Sequence, residues 1–556
     1  MSAPETSETD RAALSAAQKL IASDPAAAAR AFGELCKRWP SRAAPLIGLA
    51  SAQNALGEKA ASEQLLKLAL QVEPNSLAAL NNLALAHQSA GRLDEAVAVL
   101  MRAHSAAPFD AVISANLIAM LRMQFRYDDA IAHAADWAQA RPDTPAAWQA
   151  LSECTLTHRH GLAAAAAARR LQALRPNGHA AALLARALDA QAEYAAGLTI
   201  ARDAVARWPH DLDARAALVH LLTSMGQIGE AMRELAVLKA AGPREDRRGL
   251  QARLGLLAGP TLAGWRAYEH RFETSPVQMP NLAKQRWTGG NVTGKRIVLV
   301  DEQGYGDKIQ FARAAWEILA RGGEAILYLV PQLAPLFTRL PRGIRFTSEL
   351  TSADYDLWTP LMSAPLALGN PLAGPNAPYI APPADRRAPA CLQAPGLRIG
   401  LAWGGSDLHE QNGLRSCGLA AMTPLLGLPG AAFYSLQLGA PSDEIAARKA
   451  GPLLVDLSPH LADWGDTAAA IAALDLVITV DTAIAHLAGA MGKPVWTLVQ
   501  FAPDWRWGPK GDTTHWYPSM RLYRQTRPKC WRDPIAAINR DLQALLQGGR
   551  RPAAAA

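Results

Sequence analysis

Two short stretches hold residues whose types and order could do chemistry. In Leu476 to Val499 (LVITVDTAIAHLAGAMGKPVWTLV) a run of branched apolar residues stops at Asp481. Thr482 and then His486 follow among small residues, before Gly492-Lys493-Pro494. That order reads as strand, loop, helix, strand, with both strands buried in a parallel sheet. Ligands of such sheets bind at the carboxyl ends of the strands, where the free N–H groups and dipole of the next helix favour an anion. Asp481 and Thr482 sit at that junction, so they either cap the helix or border a phosphate site. His486, on an apolar helix, is either a ligand contact or a buried imidazole with its hydrogen bonds satisfied.

The second stretch is DEQGYGDKIQF (301–311). Gly304 and Gly306 fall in a strand-to-helix turn, where the lack of a side chain lets backbone approach a ligand. Asp307 would stand at the helix start, as a cap or as a general base for a substrate hydroxyl within its reach. Two further residues complete the set. Arg415 is the cation of the loop GGSDLHEQNGLRS (404–416), and a guanidinium suits a diphosphate. Gln437 ends a strand and either reads a nucleotide edge or holds its loop.

The elements that must position these residues follow from apolar patterning. Strands are expected at 296–300, 325–330, 344–347 and 357–360, with a helix from Lys308 to about Arg321. The proline- and glycine-rich span Gly369 to Pro395 reads as a hinge. Strands at 397–403, 432–437, 453–457, 476–480 and 495–499 then build a second half, closed by a helix from about Asp533 to Leu546. The aromatic stretch after Gln500 assigns Trp505, Trp507 and Trp516 to packing of a closing loop.

Upstream, the chain is periodic. Pro40, Pro74, Pro108, Pro142, Pro176, Pro209 and Pro243 are spaced by 34, 34, 34, 34, 33 and 34 residues. Gly57, Gly91 and Gly226 share one phase, and Ala96, Ala130, Ala164 and Ala231 another. A closing proline at this period, with small residues where two helices touch, is the tetratricopeptide-repeat (TPR) signature. Such superhelices present a concave face to a partner. Asn82 and Asn116 occupy one repeat position, where an amide could clamp an extended peptide or be locally satisfied. The equivalent positions nearby are Gly48 and Ala150. GWRAYEHRFE (264–273) reads as a capping helix anchored by Trp265, Tyr268 and Phe272, and Trp287 as packing for the joint.

Bulk properties exclude several classes. A net charge of +7 over 556 residues, with no dense basic run, asks for an anionic small ligand and not for nucleic acid. Five cysteines without a CxxC pair argue against a disulfide frame or zinc site. The polar, acidic start is unlike a signal peptide, and no apolar run reaches the ~20 residues of a membrane span, so no transmembrane segment and a cytoplasmic location are expected.

DEQGYGDKIQF, LAWGGS (401–406), YSLQ (434–437) and VDTAIAHLAGAMGKPVW (480–496) together resemble bacterial proteins that fuse TPRs to a heptosyltransferase-like GT-B glycosyltransferase domain. The resemblance implies an α plus α/β chain. Its parts would be TPR repeats at 1–260, a capping helix and linker at 261–294, an acceptor-side half at 295–390 and a nucleotide-sugar half at 391–556. These two halves are Rossmann-like. In that family the aspartate of the first turn is the base, which matches Asp307. An Asp-Thr-Gly-x-x-His motif contacts the donor, which matches Asp481, Thr482 and His486 with Ala483 in place of glycine. Gly304, Gly306, Arg415 and Gln437 complete the expected donor site. Arg415 would stand in for the family's diphosphate-binding lysine. The asparagine ladder of O-GlcNAc transferases resembles the Asn82 and Asn116 placement. The resemblance thus implies an inverting protein O-glycosyltransferase whose TPR groove binds the acceptor protein. It extends to fusions that modify flagellin with a nonulosonic acid such as pseudaminic acid. No metal or cofactor is expected beyond the nucleotide-sugar, since no Asp-x-Asp motif suited to a metal-bound diphosphate occurs. Two other readings stay open, an envelope-glycan glycosyltransferase and a non-catalytic TPR scaffold.

Overall fold

The computed structural model describes residues 8–157, 160–242, 245–274, 279–375, 377–406 and 411–548. Pro243 and residues 407–410 of the polar loop lie outside the described residues. The chain divides into two compact units, one ending at Gln191 and one beginning at Ala192.

The first unit is helical, running from Glu8–Ser23 to Gly178–Ala190 in antiparallel pairs. The repeat phases become contacts. Ala96, Ala130 and Ala164 are completely buried, so backbones of paired helices approach at these points. The turn between paired helices needs a left-handed residue. Gly57 (φ +87°) and Gly91 (φ +76°) supply it, and Phe125 (φ +59°) takes the same place without glycine's freedom. Asp110 starts one first-of-pair helix by accepting from the N–H groups of Val112 and Ile113, at 3.0 and 3.1 Å. On that helix, Asn116 donates from Nδ2 to Asn81 Oδ1 of the preceding repeat at 2.6 Å. One N–H of the Asn116 amide is thus engaged by a neighbour one repeat away. Asn82 is half-buried beside Asn81.

The second unit opens with the helices Tyr194–Arg207, Leu212–Ser224, Ile228–Ala240 and Glu245–Leu257. Ala231 is completely buried, and Gly226 (φ +69°) makes a turn, as the phase requires. Tyr194 stacks on Phe501 with ring centroids 5.5 Å apart, which joins these helices to the α/β part. Two all-parallel sheets follow. The first contains β1 (Arg296–Val300), β2 (Glu324–Tyr328), β3 (Ile344–Thr347) and β4 (Leu357–Pro360) in the order β3-β2-β1-β4. The second contains β5 (Leu397–Ala402), β6 (Ala431–Ser435), β7 (Leu454–Asp456), β8 (Leu476–Val480), β9 (Val495–Val499) and β10 (Met520–Arg524). Its order is β10-β9-β8-β5-β6-β7. Every residue of β8 and β9 is buried, as continuous apolar runs in a parallel sheet require.

One device recurs in both sheets. Arg296 at the start of β1 pairs with Asp356 just before β4, and Arg398 in β5 pairs with Asp475 just before β8, each at 3.0 Å. Each aspartate also accepts from its arginine's backbone N–H, which fixes the register of two neighbouring strands.

Three differences from the sequence reading have physical causes. The expected helix from Lys308 is two helices, Tyr305–Phe311 and Ala314–Ala320. Between them Arg313 is wholly buried, donating to the Trp516 carbonyl at 3.1 Å. Strand β10 was unforeseen, because its alternation of buried Met520 and Leu522 with exposed Arg521 lies in turn-rich sequence at a sheet edge. The span Gly369–Pro395 carries neither helix nor strand among its described residues, yet Tyr379 ties it to both halves. Its N–H donates to the Ala490 carbonyl at 2.9 Å and its hydroxyl to the Ile309 carbonyl at 3.1 Å. Trp287 is buried at the joint, and its N–H donates to the Trp358 carbonyl. No helix among the described residues is long and apolar enough to cross a membrane.

Candidate functional site

The residues singled out above stand at the carboxyl ends of β1, β5, β6, β8 and β9, where a parallel sheet presents its loops and helix starts. The loop after β1 is held from behind by a buried ion network. Arg271 donates from Nε and Nη2 to the two carboxylate oxygens of Glu302, both at 2.9 Å, and the Met362 N–H donates to Glu302 Oε1 at 2.5 Å. Arg271 also bonds Glu269 at 3.0 Å and lies over the Phe272 ring. The short helices of the expected cap therefore act as a clamp on the loop that carries Gly304 to Asp307. Burial raises the Glu302 pKa, with Arg271 opposing.

Asp307 uses one oxygen at the start of its helix. Gly304 N–H donates to Oδ2 at 3.0 Å, which is the capping role. The other oxygen accepts from Arg506 Nη2, a contact between the two α/β halves. A carboxylate has about four acceptor sites, so two bonds leave room for a further proton donor. Gly306 does something other than expected. A Cβ there would fall 2.9 Å from His486 Cδ2 and 3.6 Å from Ala483 Cα. Its missing side chain is needed for the helices Tyr305–Phe311 and Ala483–Ala490 to touch.

At the end of β8, Thr482 is the N-cap residue of the helix Ala483–Ala490, but no side chain caps that helix. Thr482 Oγ1 instead lies 3.2 Å from Thr479 Oγ1. The capping alternative for Asp481 and Thr482 is thereby set aside, and the first helix amides are left for another acceptor. Asp481 has its pKa pushed up to about 6 by burial and by the carboxylate of Asp504, against the opposing pull of the Trp507 indole, Arg415 and Arg506. His486 is buried with its ring stacked on Trp507 at 5.3 Å and its Nδ1 3.0 Å from the Tyr517 hydroxyl. Burial and the nearby Arg506 bring its pKa down to about 3, so the imidazole is neutral. Of its two readings, the structure favours the satisfied, buried one. Gln437 resolves likewise: its Oε1 accepts from the N–H groups of Trp403 and Gly404 at 2.9 and 2.8 Å, and its Nε2 donates to the Leu438 carbonyl. The side chain holds the loop after β5.

Arg415 is brought to the same cluster. Its Nε is buried without a hydrogen-bond partner among the described residues, and a Cβ on Gly405 would fall 2.6 Å from its Nη2. Burial lowers its pKa, while Asp481, Asp504 and Asp307 act in the other direction.

Sequence reasoning missed Arg506. It donates to Asp307, to Gln310 Oε1 at 2.9 Å and to Asp504 Oδ1 at 2.8 Å, and lies over the Trp505 ring at 4.1 Å. Burial works against its charge, but Asp504 and Asp307 outweigh that and raise its pKa. The available signal was a lone arginine between two tryptophans in DWRW, a desolvated setting that a cation tolerates only with paired carboxylates. Trp505, Trp507 and Trp516 are buried, as expected.

Parts of the chain are similar to known proteins. Residues 440–527 match the family described as glycosyltransferase family 9 (heptosyltransferase), and residues 77–110 and 188–254 match tetratricopeptide repeats. The chain thus joins TPR repeats to a heptosyltransferase-like region that contains Asp481, Thr482, His486, Asp504 and Arg506. Protein FlbA of Caulobacter vibrioides is 29% identical over 359 residues, covering 56% of this chain and 58% of that protein, so the match spans a little over half of the relative's length. A tetratricopeptide repeat protein from Parabacteroides merdae is similar at 16% identity, covering 42% of this chain and 93% of its own, with a TM-score of 0.38. YrrB, a TPR protein with an unusual peptide-binding site, is similar at 15% identity, covering 34% and 96%, with a TM-score of 0.29.

Proposed function

We propose that the protein is a GT-B glycosyltransferase that moves a sugar, with inversion, from a nucleotide-sugar to Ser or Thr of a protein held by the TPR groove. The observation that carries this reading is the cluster of Asp307, Asp481, Asp504, Arg415 and Arg506 at the strand ends of two parallel sheets, inside and beside the family 9 match. The nucleotide-sugar lies on the β5–β10 half. Its phosphate takes the uncapped amides of the helix Ala483–Ala490 and the Nε of Arg415, so that charge developing on the leaving group is stabilised by fixed donors. Cation and helix start do the work a metal would do in a metal-dependent enzyme. Asp307 accepts the proton of the attacking hydroxyl, a contribution of typically ~10²–10⁴-fold. Arg506 orients Asp307 and ties the halves together. A bacterial flagellin, and a nonulosonic acid such as pseudaminic acid, are the acceptor and sugar that the sequence resemblance suggests.

Thermal shift against CMP, UDP, GDP and ADP and their sugar conjugates tests this. One nucleotide series should stabilise wild type and Asp307→Asn equally, and Arg415→Gln much less. Asp307→Asn should bind donor but transfer no sugar. If none of the series raises the Tm of wild type, the enzyme reading fails and a TPR scaffold becomes the better account.

A further inference from the structure

The second unit contains a cavity of about 500 Å³ away from the strand-end cluster, between the helix Ile228–Ala240, the helix Glu245–Leu257 and the cap residues 263–273. Its size is that of small-molecule sites in general. Arg247 lines it. That side chain is 6% exposed, and its Nε, Nη1 and Nη2 make no hydrogen bond among the described residues. A guanidinium carries five N–H donors and keeps its charge, so burying it without an acceptor is costly.

The carboxylates on the cavity wall do not offset it. Glu269 is committed to Arg271, Arg286 and the Ser363 hydroxyl. Glu273 is held by Arg248 at 2.6 Å and His270 at 2.9 Å. Further cations, Lys239 and Arg266, stand exposed around the cavity, while Leu235 and Leu238 give it a buried apolar wall. A buried fork of donors, a cationic rim and an apolar side together specify a ligand with an oxyanion head.

We infer that this cavity is a second ligand site, taking a small molecule with a phosphate or carboxylate head that Arg247 binds as a fork. The site is separate from the donor cleft and stands whether or not the glycosyltransferase reading does. Its wall includes Glu269 and His270, and the next residue, Arg271, clamps Glu302 at the start of the loop that carries Asp307. Occupancy of the cavity therefore bears on the rigidity of that loop.

The test is thermal shift and calorimetry on the full chain with inorganic phosphate and with citrate, at constant ionic strength set by chloride. Either anion should raise the Tm of wild type and of Arg415→Gln in a saturable way. Phosphate acting alone identifies a phosphate head, and citrate acting alone a carboxylate head. Arg247→Gln should weaken binding roughly tenfold to a hundredfold, the loss expected for a charge-assisted fork. Without anion it should melt no lower than wild type, because it removes a charge that has no partner. Arg266→Glu, at an exposed rim position, should weaken binding several-fold with the fold intact. The inference is overturned if neither anion shifts wild type, if Arg247→Gln responds as wild type does, or if Arg247→Gln lowers the anion-free Tm by many degrees, which would reveal a structural partner.

Discussion

Replacing Asp481 with asparagine should make the protein more stable at neutral pH and do much less in acid. Asp481 sits among Asp307 and Asp504 on one side of the charge count and Arg415 and Arg506 on the other, so the cluster carries one excess negative charge. Burial and Asp504 lift its pKa from the ordinary 3.8 to about 6. A raised carboxyl pKa means that the folded chain keeps a proton the unfolded chain has lost. Stability therefore falls as pH rises from about 4 through about 6, and the full penalty stands above that window. The shift from 3.8 to about 6, at about 1.4 kcal/mol per unit, gives a penalty of about 3 kcal/mol at pH 7.5. At pH 4.5 the same two values leave about 1 kcal/mol. Asparagine keeps the shape and removes the charge, so Asp481→Asn should gain about 2 kcal/mol more at the higher pH than at the lower.

The assay is urea unfolding followed by tryptophan fluorescence, which reports on this unit because Trp505, Trp507 and Trp516 surround the cluster. The relevant quantity is the change in midpoint at constant m, compared between pH 4.5 and pH 7.5. An equal change at both pH values, or a loss at pH 7.5, refutes the reasoning. It would mean that Asp481 is held by its arginines as a strong ion pair and bears no desolvation cost.

Two further predictions concern the frame. Arg271→Met leaves Glu302, whose side chain is 3% exposed, without its cation, and should cost about 3–5 kcal/mol by urea unfolding. The double change Arg271→Met with Glu302→Leu should recover most of that loss, and no recovery would show that the clamp acts through something other than charge pairing. In the helical unit, Phe125→Gly should gain about 0.5–1 kcal/mol, because φ +59° strains a side-chain residue and the phenylalanine is 63% exposed. A fall in the Tm of this variant would show that the ring contributes packing that exposure does not reveal.

Much of the fold was legible because it is periodic. A fixed phase of proline, glycine and alanine states where helices turn and touch, and branched apolar runs such as Leu476–Val480 state which strands lie buried. Strand β10 was hidden because an edge strand needs only half an apolar face. The candidate site was legible only where it stays local in sequence. Asp307, Thr482 and Arg415 could be found because each stands at a strand end or in a polar loop. Whether a side chain faces a ligand or the interior is decided by partners far along the chain. Gly306 meets His486, Gln437 meets Trp403 and Asn116 meets Asn81, contacts that no local pattern states. Arg506 escaped for the same reason, since its partners Asp307 and Gln310 lie nearly 200 residues away.

The two guanidinium groups of the cluster do different work, and their hydrogen bonds say which is which. Arg506 has Nε, Nη1 and Nη2 all engaged by Gln310, Asp504 and Asp307. Two of these bonds, to Gln310 and Asp307, hold the two halves together, so it acts as a strut. Arg415 keeps a buried Nε without a partner, and Gly405 makes space beside its fork. It is the cation with capacity to spare, which is why the proposed reaction assigns the donor phosphate to Arg415. The excess negative charge then has a purpose within the proposed reaction. It makes the empty cluster costly and leaves Asp481 ready to take up a proton when a second anion enters. In that case donor binding draws a proton from solvent, and the same strain that lowers stability at neutral pH reappears as pH-dependent affinity.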